Sequence, residues 1–151
     1  MDIHQKYMKE AVKEAIKALD KDEVPVGAVC VYEGKIIARG HNQMRTLKDP
    51  TAHAEMIAIT AAAEHLKQVR LNGVTIYVTI EPCSMCTGAL VLARVDEIIY
   101  GADDPKTGAC GSIVDLASHP VLNHQIKVTK GIMKEDAVQL LQEFFKSKRT
   151  A

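Results

Sequence analysis

At 151 residues, 47% of them apolar and 25% charged, the chain has the size and composition of one globular domain, which excludes a disordered polymer and a multidomain architecture. Its 19 Lys and Arg balance 19 Asp and Glu, so no bulk field draws it to nucleic acid, membrane or acidic substrates, and any charged partner must be met by a local patch. No apolar run reaches the roughly 20 residues that span a bilayer, and the amphipathic start MDIHQKYMKEAV is unlike a signal peptide. A cytoplasmic protein without membrane contact is therefore expected, in which four Cys point to metal, redox chemistry or burial rather than to a disulfide framework.

Along the chain, Tyr7, Met8, Ala11, Val12, Ala15, Ile16 and Leu19 recur at helical spacing and predict an amphipathic helix over residues 3–19, with Lys9, Lys13 and Lys17 as a solvated stripe. VPVGAVCVY and KIIARGHN flank Glu33-Gly34 and read as a hairpin. In the first of these strands Val26, Ala28 and Cys30 alternate with Gly27, Val29 and Val31, so both faces are apolar or small, as in a sheet covered by helices on both sides. After a loop over residues 43–50, Thr51 is the expected N-cap of a helix starting near Ala52. The strand TIYVTI then leads into Glu81-Pro82-Cys83, with Pro82 suited to the first turn of the helix CSMCTGALVLARV, and EIIYGA follows as the next strand. A glycine-bearing loop from Asp103 to Ser112, a short helix at VDLASH, the strand IKVTKG and the amphipathic helix KEDAVQLLQEFFKSKR complete the chain. This order predicts a single α/β domain over residues 1–151, a three-layer α/β/α sandwich around a mixed five-stranded sheet.

The residues that carry chemistry are His53 and Glu55 in TAHAE, and Cys83 and Cys86 in PCSMC. One His and two Cys make the ligand count of a catalytic zinc site, which keeps its fourth position open. Cys83 and Cys86, placed at i and i+3 in a helical first turn, share a face, and the positive end of the helix dipole favours their thiolates. His53 is expected in the first turn of the other helix, and helix starts at the ends of adjacent strands bring the three ligands to the carboxyl edge of the sheet. Glu55, two residues on, is turned roughly 200° round the helix from His53. It is placed for proton transfer rather than ligation. Cys30, in mid-strand, and Cys110, in the loop GACGS, read as buried structural residues. A thioredoxin-like redox reading of Cys-x-x-Cys leaves His53 and Glu55 unused, and a purely structural zinc domain has no need of Glu55.

H-x-E followed by P-C-x-x-C is the signature of zinc nucleobase deaminases, and that signature, not spacing alone, fixes the class. The sequence resembles the bacterial tRNA-specific adenosine deaminases, of cytidine-deaminase-like fold, through EVPVGAV, His41-Asn42, DPTAHAE, IYVTIEPCSMC, YGADDPKTG, Asn123-His124 and the terminal EFFKSKR. The resemblance implies one zinc ion per chain on His53, Cys83 and Cys86, with Glu55 as the proton shuttle. It implies that Asn42 hydrogen-bonds a flipped adenine, that Val26 and the backbone near Ala54 line its pocket, and that Asp103, Asp104, Lys106, Phe145, Lys148 and Arg149 lie along the RNA path. Water attacking C6 of adenine would give inosine in a tRNA anticodon stem-loop. The resemblance also implies a homodimer whose partner loops help form each site. A deaminase of free guanine or cytosine on the same fold is the competing reading, against which DDPKTG and FFKSKR favour a polynucleotide.

Overall fold

The expected hairpin forms. In the computed structural model, which describes residues 2–150, β1 (Gly27–Tyr32) and β2 (Lys35–His41) pair antiparallel. Glu33 and Gly34 both take positive φ, 50° and 76°, as a two-residue hairpin turn demands. β1 pairs on its other side, again antiparallel, with β3 (Val74–Ile80), which continues in parallel to β4 (Glu97–Ala102) and β5 (Lys127–Lys130). The sheet order is β2-β1-β3-β4-β5, and every strand except β1 points the same way.

Because both faces of β1 are apolar, helices cover both sides. Ala28 and Cys30 join a core with Ala54, Ala58, Val78 and Leu90, beneath α3 (Ala54–Leu66) and α4 (Ser84–Ala93). Val29 and Val31 join another with Tyr7, Met8, Tyr77 and Ile99, beneath α1 (Ile3–Asp20), beside which lies α5 (Lys134–Thr150). This is the three-layer sandwich with a mixed five-stranded sheet. Two of the stripe lysines on α1 are held by acids of their own helix, Lys13 by Glu10 and Lys17 by Glu14, each at 2.8 Å.

Four local expectations need correction. α3 starts at Ala54, not near Ala52, because Thr51 turns its amide and hydroxyl back onto Asp49 Oδ1 (2.8 and 2.7 Å) instead of capping the helix. Pro82 stands before α4 rather than in its first turn, where its carbonyl accepts from the Ala109 amide at 2.9 Å. The loop over residues 43–50 contains a short helix, α2 (Met44–Leu47), whose start is capped from afar: the buried Glu23 carboxylate accepts from the Arg45 and Thr46 amides (3.1 and 2.6 Å) and from the Thr46 hydroxyl (2.7 Å). VDLASH is no helix, since Asp115 bridges Cys110 and accepts from the Ser118 amide and hydroxyl, consuming the local donors in turns.

Candidate active site

All strands but β1 deliver their carboxyl ends to one edge of the sheet, where α3 and α4 begin. The strands feeding these helices, β2 and β3, are not neighbours as expected; β1 runs between them, so Val26, just before β1, enters the site. His53 and Cys83 are the N-cap residues of α3 and α4 rather than first-turn residues. Both have extended backbone, and neither side chain caps its helix. They turn toward each other instead. His53 Nδ1 lies 3.7 Å from Cys83 Sγ and 3.5 Å from Cys86 Sγ, and ligand atoms of the three residues all fall within 4.8 Å of one another. Such a group could hold a metal ion.

An N-cap His leaves the first amides of α3 without their usual side-chain acceptor. Asn42, just past β2, supplies it: Oδ1 accepts from the Ala54 amide at 2.8 Å. That bond fixes which end of the amide is oxygen, and Nδ2 makes no hydrogen bond among the described residues. Asn42 thus tethers the helix and keeps a donor for a ligand.

The thiols share their proton unequally. A hydrogen bond from Cys86, then one from His53, brings the Cys83 thiol down to about 4, while the bond to Cys83 and burial push Cys86 well up. His53 is raised, chiefly by its bond to Cys83, against the opposing effect of burial. Glu55, only 4% exposed, is raised to about 7 by burial, which outweighs its own amide and the His53 charge. Cys30 and Cys110 take no part: each is buried, and desolvation pushes each up to about 12.

Val26, Asn42, His53, Glu55, Cys83 and Asp104 meet around one cavity of about 220 Å³, with Val24, Met44, Ile80, Glu81 and Thr107 completing its walls. Cys86 is fully buried behind it. Asp103, Lys106 and Phe145 line an adjoining cavity of about 360 Å³, which shares Val26 and Asp104 with the first. The remaining expected residues lie elsewhere. Ala54 gives its amide to Asn42 and its side chain to the core, so it lines neither cavity. Lys148 is paired with Asp22 at 2.6 Å and lies over the Phe144 ring, and Arg149 is exposed at the end of α5. Sequence reading passed over Glu81, an acid between a strand and a proline whose partners are more than twenty residues away.

The MafB19-like deaminase family matches residues 2–149. A tRNA-specific adenosine deaminase of Bacillus subtilis is 49% identical over 95% of this chain and 89% of its own length, and one of Aquifex aeolicus is 48% identical over 95% and 94%. Among solved structures, one from a study of A-to-I editing by tRNA deaminases at the wobble position superposes with a TM-score of 0.87 at 45% identity, covering 90% of this chain and 99% of that one. A guanine deaminase from Bacillus subtilis superposes with a TM-score of 0.67 at 31% identity, over 100% and 96%. With its sandwich fold, its His-x-Glu and Pro-Cys-x-x-Cys brought to one pocket, and these likenesses along nearly its whole length, the chain belongs to the MafB19-like deaminases and, within them, to the tRNA-specific adenosine deaminases.

Proposed function

We propose that this protein hydrolytically deaminates adenosine to inosine at the wobble position of a tRNA anticodon, with one zinc ion per chain held by His53, Cys83 and Cys86. The observation that carries this reading is the meeting of His53 Nδ1 with both sulfurs beside the buried Glu55, in a pocket that the Asn42 side chain also lines. One imidazole nitrogen and two sulfurs suit the borderline-soft zinc ion, and three protein ligands leave a fourth position open. When bound there, the ion would supply a water acidified toward a pKa of about 7. Asn42 Nδ2 donates to the adenine edge, and Val26 packs against the ring. Glu55 takes the proton that water gives up as it adds to C6 and delivers it to the ring nitrogen N1; it then carries the proton of the new C6 hydroxyl to the amino group, which leaves as ammonia while the C6 carbonyl forms.

A base inside this pocket has left its stack, so its neighbours must be held as well. That role falls to Phe145, half exposed, and Lys106, which line the adjoining cavity. This accounts for a protein of zero net charge acting on RNA, and it carries with it a cytoplasmic location. The competing reading is a free-base deaminase, which shares the fold with the guanine enzyme. A tRNA anticodon stem-loop with a wobble adenosine is expected to be deaminated far faster than free adenosine, guanine or cytosine, measured as kcat/KM by inosine or ammonia release. Faster turnover of a free base sinks the tRNA assignment. Neutralising Lys106, Lys148 and Arg149 together should weaken stem-loop binding and flatten the slope of its salt dependence by roughly 0.7 for each phosphate no longer neutralised. An unchanged slope removes these residues from the RNA path.

The same reading includes a homodimer. Its support is the apolar surface left in solvent by the α3–α4 layer: Val69 and Leu92 are each 82% exposed, and an open groove of about 580 Å³ runs along α3 past Ile59. Sedimentation equilibrium is expected to give twice the 16.5 kDa chain mass, and Leu92→Glu to shift it toward the monomer. A wild-type monomer at micromolar concentration refutes the dimer.

A further inference from the structure

Glu81, just past β3, is 3% exposed, and its carboxylate takes its hydrogen bonds from a single loop. Oε1 accepts from the Asp104 amide at 3.0 Å and from the Ser112 hydroxyl, and Oε2 accepts from the amides of Cys110 and Ser112 at 2.9 and 3.1 Å. A carboxylate has about four lone-pair sites. All are filled by neutral donors of residues 104–112, and among the described residues no cation takes part. The approach is close enough to dictate a residue: a Cβ at Gly108 would collide with the Glu81 carboxyl carbon and with both of its oxygens.

The influence of Glu81 does not stop at the first loop residue. Asp104, whose amide Glu81 holds, accepts in turn from the Lys106 amide (3.0 Å), the Thr107 amide (3.1 Å) and the Thr107 hydroxyl (2.6 Å). Asp104 and Thr107 are walls of the cavity that contains Glu55 and Asn42, and Lys106 lines the adjoining one. A chain of hydrogen bonds therefore runs from a rigid strand end, through a buried carboxylate, to the side chains that meet the substrate. The loop bearing them is otherwise exposed at Asp103, Pro105, Lys106 and Thr107.

We infer that Glu81 is a positioning residue for substrate: it sets the Asp104–Thr107 wall of the pocket and so governs substrate binding, without touching the reacting atoms. The inference rests on the deaminase reading above. It differs from a merely structural role in where the loss falls. In Glu81→Gln, the remaining oxygen can keep the Cys110 and Ser112 amides and the new NH₂ can donate to the Ser112 hydroxyl, so the Asp104 amide alone loses its acceptor.

The experiment is steady-state deamination of a wobble-adenosine stem-loop by the zinc-replete wild-type and Glu81→Gln proteins, with metal analysis and amide hydrogen exchange on both. The expected result is a KM raised about tenfold, the scale of one missing charge-assisted hydrogen bond, with kcat within threefold of wild type and zinc content unchanged. Exchange should quicken at the Asp104 amide and remain slow at Cys110 and Ser112. A wild-type KM, or a loss confined to kcat or to zinc content, overturns the inference. Should Glu81→Gln not fold, Ser112→Ala decides, because it removes one donor and leaves the carboxylate: a KM raised two- to threefold supports the role, and an unchanged KM overturns it. If wild type itself leaves the stem-loop untouched, the deaminase reading fails; if wild type turns it over and the Gln variant matches its KM, only the role of Glu81 fails.

Discussion

Glu55→Gln lowers deamination at least about 100-fold and leaves the metal in place. The expectation follows from position. Glu55 is the second residue of α3, close to His53, yet the atoms that could grip an ion come from His53, Cys83 and Cys86. Its carboxyl is buried and lines the cavity, so it can exchange protons with a substrate but not readily with bulk water. Gln preserves the shape and removes the proton transfer, whose contribution is typically about 10²- to 10⁴-fold. The check is single-turnover conversion of the stem-loop, read beside elemental analysis of the same preparation. Wild-type turnover refutes the shuttle, whereas loss of zinc together with activity makes Glu55 a ligand or a support for one.

Cys83→Ser/Cys86→Ser abolishes stoichiometric zinc. Two of the three donors lie at the start of α4 and the third is the N-cap of α3, so an ion held by them would join two helices of which α3 packs mainly on the sheet rather than on its neighbour. Ligand binding to the folded state alone stabilises it by about 2.7 kcal/mol when free ligand is 100 times its Kd. For a chain of this length that corresponds to roughly 5–10 °C in thermal midpoint. Zinc-replete wild type should therefore melt higher than the chelated protein by about that much, with about one zinc per chain by elemental analysis. The double variant should hold near-zero zinc and melt at one temperature with or without it. Full retention of zinc by the variant removes these sulfurs from the site.

The elements that carry strong periodicity were legible in the sequence: the helix over residues 3–19, the hairpin around Glu33-Gly34, and the strands and final helix are where side-chain spacing puts them. The errors cluster at helix starts, where several groups compete for the same amides. Thr51 reads as a cap on its own, but Asp49 two residues before it is a nearer partner, His53 takes the cap position of α3, and Asn42 from another element accepts from the helix's first amide. Glu23 capping α2 and Glu81 holding the 104–112 loop belong to the same class, because an acid satisfied by distant amides leaves no periodic trace in the chain. His53, Cys83, Cys86 and Glu55 were legible for the opposite reason: their residue types are themselves the chemistry. What spacing did not reveal is that the N-cap position itself frees the His53 and Cys83 side chains to face each other.

The pairing of Lys148 with Asp22 changes how charge is counted on the face proposed above to meet RNA. Asp22 also binds Arg45 at 2.7 Å, and its carboxyl is held below the usual range, first by Lys148 and then by Arg45. Two cations thus share one carboxylate, and the cluster as a whole has a valence of one. A phosphate arriving there finds a single surplus charge, which either cation can deliver while the other stays with Asp22. Removing Lys148 or removing Arg45 cancels the same unit, so the two are interchangeable to a polyanion, while Asp22→Asn releases a second unit without adding any basic residue.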